Sequence, residues 1–398
     1  MKILFVTYGG GHAAIVKSLY PTLNKLEKVK INILALTSST LLLKKAGIPY
    51  NTIVNYLHLF PYRDEIMKYG EILAETGFNV NSGLEYNDIE TYLGISFYDL
   101  LQSVDNLEKA LTMYRINGRN VFCPIRTMKR ILEYESPDVL IVTCGQRMEK
   151  AAALAANDLG IRVVRIEDVP GDTKNVSYEC SLCVMNEHFK QIAIKNNPKL
   201  SQENIIATGH PVLESNTELD WGVLRYLSEK LRANQFTNVI AFMTQNGENQ
   251  KEIYHKLYEL AQEMKTTLFI IKLHPNQENY FDTNCRPLNN LIIDKECEVK
   301  YYINLSDLVI TTFSTTGLEA AMMDKPLIVI NLKNKIYNPD YCKEGIAVKV
   351  SLLDELDSTI CKLLDKNSIT YSFLKEGRKK ISNLSDAREN ITWQIIRK

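Results

Sequence analysis

Residues 2–19, KILFVTYGGGHAAIVKSL, contain the pattern that decides the fold. A continuous apolar run comes first, three glycines follow, and apolar residues then recur with the period of an α-helix. This order predicts a strand at residues 2–7, a tight loop and a helix. Residues 30–37, KINILALT, form a second continuous apolar run. Strands that are apolar throughout indicate a sheet covered on both faces, so the segment predicts a parallel α/β fold.

Further apolar runs extend this pattern along the chain. In the first half they predict strands at residues 138–143, 162–167, 181–186 and 204–209. In the second half they predict strands at residues 238–244, 267–274, 291–294, 307–312 and 326–331. Helix-period segments separate most of these runs, so each half predicts its own parallel sheet.

The length of 398 residues also favours two domains over one core. We predict two Rossmann-like parallel-sheet domains that face a cleft, followed by C-terminal helices. The predicted parts are an N-terminal acceptor-side domain at residues 1–212 with a helical insertion at about 50–135, a linker at 213–236, a nucleotide-donor domain at 237–378, and a C-terminal helix at 379–398 that returns to the first domain.

Composition restricts the classes of partner. Lysine plus arginine and aspartate plus glutamate both number 47, so we expect no nucleic-acid groove. No stretch reaches the roughly 18 continuous apolar residues of a membrane-spanning helix, and no signal peptide is recognisable, so we expect a cytoplasmic protein. The arginine-rich segment 111–132 either packs on its own domain or makes peripheral contact with a membrane surface.

The cysteine pattern predicts no metal site. The eight cysteines are scattered, and Cys180 and Cys183 form a lone C-x-x-C in a predicted strand. A zinc site would need a second pair or histidines at matching spacing. We therefore expect both thiols to be buried as small apolar groups.

Unusual polar residues collect where the predicted strands of the second domain end. Ligands of open α/β sheets bind at these carboxyl ends. The fragment KLHPNQ ends one strand, where Pro275 stops the strand and leaves Lys272 and His274 near its end. A neighbouring strand ends with Thr244 and Gln245, which are donors for a phosphate or a base.

A third strand end, FSTTGLEA, begins a helix with Ser314, Thr315 and Thr316. Hydroxyls and free N–H groups at a helix N-terminus form an anion site, or they only cap the helix. Glu319 follows within the first turn, where a carboxylate can accept both hydroxyls of a ribose or complement the helix dipole. The joint placement with His274 favours nucleotide binding. No Walker lysine and no G-x-G-x-x-G fingerprint is present, so a P-loop or an NAD site is not expected.

The order of these motifs resembles the GT-B glycosyltransferase superfamily. GGGHAAIVKSL is similar to the first loop of peptidoglycan-precursor and galactolipid glycosyltransferases, and TGHPV is similar to a segment of lipid-A-disaccharide synthases and sugar 2-epimerases. KLHP, DLVITTFSTTGLEA and KPLIVI together resemble the His-Pro and Ser-Thr motifs of bacterial sialyltransferases, capsule transferases and teichoic-acid glycerophosphotransferases. The resemblance implies that His274, Ser314 and Thr315 hold nucleotide phosphates and that Glu319 binds the ribose.

The glycine loop of the first domain has a role in this interpretation. Gly10 and Gly11 allow the loop to approach a donor in the cleft without a side chain in the way. His12 then lies at the start of the first helix, where the helix dipole favours a neutral imidazole that can act as a base.

A second candidate base is the acidic pair Glu167–Asp168 in RIEDVPGD, which resembles the acidic pair before a glycine in sialyltransferases. We expect one of these carboxylates to be the base and His12 to position it, although helix capping explains each group equally well. His210 in TGHPV either lines the donor site near the hinge or packs at a strand end.

The resemblance implies an inverting, metal-independent glycosyltransferase. It would move a sugar from a UDP-, CMP- or CDP-linked donor to a hydroxyl of a glycan or a lipid-linked acceptor, in cell-envelope or glycan biosynthesis. No D-x-D pair is present, so no metal and no further cofactor are expected. No second glutamate follows a glycine-rich turn, so inversion is expected rather than retention. The alternatives are a UDP-sugar 2-epimerase or hydrolase, a CDP-polyol phosphotransferase, and a non-catalytic protein that binds a nucleotide or a glycan.

Overall fold

A computed structural model describes residues 1–75, 84–174, 176–217, 219–245, 249–274, 286–336 and 340–397. The chain divides into two compact units. Unit 1 comprises Met1–Glu214 and Leu384–Lys398, and unit 2 comprises Ser215–Asn383.

Unit 1 contains a parallel sheet, of which six strands are described. They are β1 (Lys2–Thr7), β2 (Lys30–Ala35), β3 (Val139–Val142), β4 (Arg162–Ile166), β5 (Ser181–Val184) and β6 (Ile205–Ala207). Their order in the sheet is β2-β1-β3-β4-β5-β6, and every neighbouring pair is parallel. The direction of strand addition reverses between β1 and β3, and such a switch point opens a crevice at the carboxyl ends of the two strands.

Helices cover this sheet and form the insertion between β2 and β3. The helices of unit 1 are α1 (Gly11–Asn24), α2 (Ser39–Lys45), α3 (Arg63–Glu75), α4 (Tyr86–Val104), α5 (Leu107–Asn117), α6 (Ile125–Glu135), α7 (Arg147–Asp158), α8 (Glu187–Asn196) and, after unit 2, α16 (Ala387–Ile396). Helix α9 (Pro211–Thr217) crosses the boundary between the two units. A Cβ on Gly94 of α4 would lie 2.1 Å from the carbonyl oxygen of Ile66 in α3, so glycine lets these two helices approach closely.

The arginine-rich segment 111–132 packs inside unit 1 through the apolar face of α6, whereas Ile116 of α5 is 75% exposed. Helix α6 buries Met128 and Ile131, and it leaves Arg126 and Arg130 exposed on the opposite face. None of the described helices is both long enough and apolar enough to cross a membrane.

The segment after unit 2 returns to unit 1. Ile391 and Ile395 of α16 belong to the same apolar core as the strands β1 to β5. The carboxylate of Glu214 accepts hydrogen bonds from the backbone N–H groups of Ala387 and Arg388 at the start of α16. These bonds satisfy donors that the helix itself cannot pair.

Unit 2 repeats the architecture with a second parallel sheet. Its described strands are β7 (Asn238–Met243), β8 (Thr267–Lys272), β9 (Leu291–Asp294), β10 (Leu308–Thr311), β11 (Leu327–Ile330) and β12 (Val348–Val350) in the order β12-β11-β10-β7-β8-β9. Its helices are α10 (Trp221–Lys230), α11 (Gln250–Glu263), α12 (Val299–Leu305), α13 (Thr316–Met322), α14 (Leu356–Leu364) and α15 (Ile369–Lys379). The switch point lies between β7 and β10.

Two parallel sheets with helices on their faces confirm the predicted α/β fold class. Strand β12 was not predicted, because it has three residues and an exposed lysine at its centre. Several strands end earlier than predicted: β8 ends at Lys272, for example, and the next two residues belong to the loop at its carboxyl end. Within the segment predicted as a linker, α10 buries Leu224 and Leu227 in unit 2.

Candidate functional site

The carboxyl ends of β1, β3 and β4 are neighbours in unit 1, and the predicted histidine lies between them. His12 is in the first turn of α1, directly after the glycine loop. Gly10 has a φ of 69°, a left-handed conformation that favours glycine. A Cβ on residue 11 would lie 2.3 Å from Oδ1 of Asp168. Gly11 is therefore needed because the loop passes directly against the Asp168 carboxylate.

The proton on His12 is placed by Thr143 and Glu149. Nδ1 of His12 lies 2.7 Å from Oγ1 of Thr143, and that hydroxyl lies 3.0 Å from Oε2 of Glu149. An ionised carboxylate only accepts, so the single hydroxyl hydrogen of Thr143 goes to Glu149. Thr143 must then accept from His12, and Nδ1 of His12 carries the proton.

Glu149 is held rigidly in this position. It is fully buried, and its oxygens accept hydrogen bonds from the backbone N–H groups of Tyr8 at 3.3 Å, Thr143 at 2.5 Å and Cys144 at 2.8 Å. Backbone donors of this kind stabilise a buried carboxylate. Glu149 thus links the strand ends of β1 and β3 around His12.

The other ring nitrogen of His12 faces Asp168. Nε2 lies 3.5 Å from Oδ2 of Asp168, and both side chains are 20% exposed. Burial raises the pKa of Asp168, and the nearby His12 ring lowers it. Because Nδ1 of His12 is bonded to Thr143, Nε2 is the ring nitrogen that faces Asp168. Such a pair can take a proton from a bound hydroxyl and return it.

Glu167, the other carboxylate of the acidic pair, points into the protein. It is 2% exposed and accepts hydrogen bonds from the N–H groups of Gly171 at 2.5 Å and Met185 at 3.3 Å. Burial raises its pKa to about 8, although these backbone donors act in the opposite direction. Glu167 therefore shapes the loop that carries Asp168, and only Asp168 reaches His12.

His210 supports the same loop from behind. Its Nε2 lies 3.1 Å from the carbonyl oxygen of Asp168, and burial lowers its pKa to about 4. A neutral imidazole that donates to this carbonyl positions the backbone of Asp168. His210 is 5% exposed, so it is placed to hold the loop rather than to line an open surface.

Three residues of unit 1 bring possible metal ligands together, but their chemistry does not suit an ion. Ligand atoms of His12, Cys144 and Glu149 lie within 4.8 Å of one another. Burial, and then Glu149, raises the pKa of the Cys144 thiol, which disfavours the thiolate that a metal requires. The Glu149 oxygens are already occupied by backbone donors.

Hydrogen bonds tie three strand ends of unit 2 together, and the predicted residues lie among them. Strand β7 lies between β8 and β10. Oγ1 of Thr244 accepts from the N–H of His274 at 2.9 Å. Oε1 of Gln245 accepts from Oγ1 of Thr312 and from the N–H of Phe313, both at 3.0 Å. Thr244 and Gln245 thus brace the neighbouring strand ends.

The hydroxyl residues after β10 begin α13. Oγ of Ser314 accepts from the N–H of Thr316 at 3.2 Å, while Thr315 is exposed. Oγ1 of Thr316 is buried without a hydrogen-bond partner. The hydroxyl of Tyr341 donates to the carbonyl oxygen of Ser314 at 3.0 Å, and Glu319 contributes to the raised pKa of Tyr341 after the larger effect of burial. Hydrogen bonds from Thr316 and Tyr341 therefore hold this turn.

Lys272 and His274 form a basic pair at the end of β8. Nζ of Lys272 donates to the carbonyl oxygens of Leu273 at 3.1 Å and Lys295 at 3.2 Å. Burial lowers the pKa of His274, and the charges of Lys272 and Lys295 lower it further. His274 is exposed, whereas Lys272 is buried. The predicted Pro275 lies outside the described residues.

Sequence reasoning missed Thr143, Glu149 and Tyr341. A signal for Glu149 is present in RMEKAAALAA: Glu149 shares the spacing of Ala152, Ala153 and Ala156, which are the buried face of α7. A carboxylate on a buried alanine face needs partners, and here the partners are the strand ends.

The family comparison covers part of the chain. Residues 153–342 match the family model described as CDP-Glycerol:Poly(glycerophosphate) glycerophosphotransferase. No curated protein sequence matches the chain.

Solved structures match over nearly the whole chain. The UDP-GlcNAc 2-epimerase from Neisseria meningitidis bound to UDP-GlcNAc is 17% identical, with a TM-score of 0.59 and 100% of both chains covered. The S. aureus MnaA-UDP co-structure is 13% identical, with a TM-score of 0.64 and 99% of this chain and 95% of that chain covered. The glycosyltransferase SnogD from Streptomyces nogalater is 15% identical, with a TM-score of 0.51 and 98% and 95% covered. At these identities the likeness shows the fold, two Rossmann-like domains of the GT-B type.

Proposed function

We propose that the protein is a transferase that moves a group from a nucleotide-activated donor to an acceptor hydroxyl. In this proposal, unit 2 binds the nucleotide and unit 1 supplies the groups for acid–base chemistry. The observation that carries it is the His12–Asp168 pair, in which Nε2 and Oδ2 face each other at 3.5 Å. An acceptor hydroxyl must lose its proton as it attacks, and this pair is built to take that proton.

The roles within unit 1 follow from the hydrogen bonds. Thr143, held by Glu149, keeps the proton on Nδ1 of His12, so Nε2 is the atom that exchanges protons. Asp168 stabilises the imidazolium that forms when Nε2 gains a proton. Glu167 and His210 position Asp168 and do not touch the acceptor in this proposal.

The roles within unit 2 follow from charge and hydroxyl placement. His274 and the buried charge of Lys272 lie at one strand end, and Ser314 and Thr316 lie two strands away beyond β7. The charge of Lys272, an N–H of the neutral His274 ring and hydroxyl donors together can stabilise the charge that develops on a departing nucleotide. We assign a sugar as the first candidate for the transferred group, with inversion and without an essential metal, because one base is sufficient for a single displacement.

Glycerophosphate is the second candidate for the transferred group. The match of residues 153–342 to a glycerophosphotransferase model favours it, and the donor would then be CDP-glycerol. The same base would deprotonate the acceptor hydroxyl, and CMP rather than a nucleoside diphosphate would leave. Release of a nucleoside diphosphate would identify sugar transfer. Because a CMP-linked sugar also releases CMP, release of CMP must be combined with analysis of the product for a newly attached glycerophosphate.

The first test is a nucleotide panel of UDP, CDP, CMP, GDP and ADP, read as a shift of the thermal unfolding transition. A ligand at about 100 times its dissociation constant adds roughly 2.7 kcal/mol to the free energy of unfolding. We expect one nucleotide to shift the transition, and His274→Ala and Ser314→Ala to remove the shift. Ser358→Ala, an exposed hydroxyl on α14, is the matched control and should keep it.

The second test measures acceptor-dependent release of that nucleotide. We expect His12→Asn and Asp168→Asn to lower turnover by about 100-fold or more while nucleotide affinity stays unchanged. A full rate in both variants would refute the acid–base assignment. Nucleotide release that needs no acceptor would point to an epimerase or a hydrolase instead.

A further inference from the structure

An excess of positive charge surrounds the start of α7 in unit 1. The residues concerned are the loop Cys144–Gln146, the first helical residue Arg147, and Arg165 of β4, which together we call the Arg147 subsite. We propose that this subsite binds an oxyanion, a phosphate or a carboxylate, and that the oxyanion is an acidic group of the acceptor. The second part rests on the proposed function, whereas the binding of an oxyanion does not.

Arg147 is held in an unusual conformation at the helix start. Its backbone φ is 50°, a left-handed value that residues other than glycine rarely adopt. Its guanidinium carbon lies 4.5 Å from the centre of the Tyr8 ring, and its Nε is buried without a hydrogen-bond partner. A strained backbone that holds an arginine with an unused donor is a reason to look for a ligand.

Arg165 contributes a second cation beneath the loop. It is 3% exposed, and its Nε and Nη1 atoms have no hydrogen-bond partner. Nη1 lies 3.1 Å from the position that a Cβ on residue 145 would occupy. Gly145 therefore lets the guanidinium sit directly under the loop backbone, where its charge acts on whatever binds at the loop surface.

Further cations lie close to the same place. Lys150 is in the first turn of α7. Arg147 and Arg119 both lower the pKa of Tyr92, against the larger effect of burial, so both guanidinium groups lie near that hydroxyl. No described carboxylate forms an ion pair with Arg119, Arg147, Lys150 or Arg165.

Two carboxylates offset part of this charge, because Arg165 interacts electrostatically with both Glu149 and Glu167. Glu149 follows Arg147 in α7, but its oxygens accept from the N–H groups of Tyr8, Thr143 and Cys144 on the side of His12. The helix start adds partial positive charge, and its N-cap residue Gln146 makes no side-chain capping bond. The unpartnered nitrogens of Arg147 and Arg165 and the helix start together favour an oxyanion at the loop surface.

The position of the subsite connects it with the acceptor. Cys144 directly follows Thr143, whose hydroxyl is bonded to His12. An oxyanion at the Arg147 subsite would therefore lie at the same edge of the sheet as the His12–Asp168 pair. An acceptor that carries both a hydroxyl and an acidic group could place the hydroxyl at His12 and the acidic group at Arg147.

The test uses the full chain with nitrogen-15-labelled arginine, and follows the Nε–H signal of Arg147 by NMR. The probes are inorganic phosphate, glycerol 3-phosphate, glucuronate and, as the neutral control, glycerol. Arg147→Gln assigns the signal by its loss. Arg232 is the internal control, because it is an exposed arginine of unit 2 with a similar φ of 53°.

We expect a saturable shift of the Arg147 signal at millimolar phosphate or carboxylate, with no shift of Arg232 and none with glycerol. A response to phosphate and glycerol 3-phosphate identifies a phosphate subsite, and a response to glucuronate identifies a carboxylate subsite. Arg165→Gln should weaken the binding by about tenfold to 100-fold. If neither class of anion moves the Arg147 signal in a saturable way, the proposal is wrong.

Turnover separates this proposal from the proposed function. If acidic acceptors react, Arg147→Gln should raise their KM and leave the KM of neutral acceptors and the affinity for nucleotide unchanged, while Arg232→Gln should change neither. If neutral acceptors react as efficiently as acidic ones, the assignment of an acidic acceptor is wrong, but the proposed transferase activity is still supported. If the anion binds but no group transfer is detected, the Arg147 subsite is supported and the proposed transferase function is wrong.

Discussion

The buried carboxyl group of Glu167 should make the stability of unit 1 depend on pH. Its folded-state pKa is about 8, raised by burial from an ordinary value of 4.5. Between these two values the folded protein binds one proton more than the unfolded chain. The free energy of unfolding therefore falls as the pH rises through this interval, and the loss ends once the folded-state group is also ionised.

The size of the effect follows from the two pKa values. The maximal slope is about 1.4 kcal/mol per pH unit. Between pH 5.5 and 7.5 the contribution of Glu167, with a folded-state pKa of about 8, therefore changes by roughly 2–3 kcal/mol. Glu167→Gln keeps the shape and removes the titration. Near pH 5.5 the free energy of unfolding of the variant should resemble that of the wild type. At pH 7.5 it should exceed the wild-type value by roughly 2–3 kcal/mol.

Fluorescence can follow unit 1 alone. The chain has two tryptophans, of which Trp393 belongs to unit 1 and Trp221 to unit 2. In a Trp221→Phe background, urea titrations of Trp393 fluorescence report the unfolding of unit 1 at each pH. Glu133→Gln, at an exposed position of α6, is the matched control and should follow the wild type. If Glu167→Gln and the wild type lose stability in parallel from pH 5.5 to 7.5, burial does not control this group and the reasoning fails.

Two further substitutions test the helical insertion and the acid–base pair. Gly94→Ala should destabilise unit 1 by about 1–2 kcal/mol, because a Cβ 2.1 Å from the carbonyl oxygen of Ile66 costs more than the gain in helix propensity; urea titration of Trp393 fluorescence measures it. His12→Asn should raise the pKa of Asp168 above its wild-type value, because the ring that lowers it is removed; carboxyl carbon NMR against pH measures it.

Each of these has a control. Ser96→Ala, on the same helix as Gly94, removes a buried hydroxyl without a hydrogen-bond partner and should cost little. An unchanged free energy of unfolding in Gly94→Ala would mean that α3 and α4 can separate freely. An Asp168 pKa that stays the same or falls in His12→Asn would mean that the His12 ring does not stabilise the ionised Asp168 carboxylate.

The fold could be predicted because its signal is local. Strands such as β1 and β8 are apolar at nearly every position, and such a run is visible in a single sequence. Strand β12 lacks that signal, because its existence depends on pairing with β11 rather than on its own residues. Local patterns therefore find the central strands and miss a short edge strand.

The candidate site could be predicted only in part, because its decisive contacts join distant residues. His12 and Thr143 are 131 positions apart, and Tyr8 and Glu149 are 141 apart. The sequence also cannot separate Glu167 from Asp168, since neighbouring residues at a strand end point in opposite directions. One of them meets the N–H of Met185 in the interior and the other meets His12.

The return of α16 to unit 1 has a consequence for protein synthesis. All of unit 2 is contiguous in sequence, and it precedes the residues Leu384–Lys398 that complete unit 1. On the ribosome, unit 2 has therefore emerged in full while the core of unit 1 still lacks Ile391 and Ile395. The first unit to be translated is the last that can finish folding, so the nascent chain must keep that unfinished apolar surface from aggregating until α16 arrives.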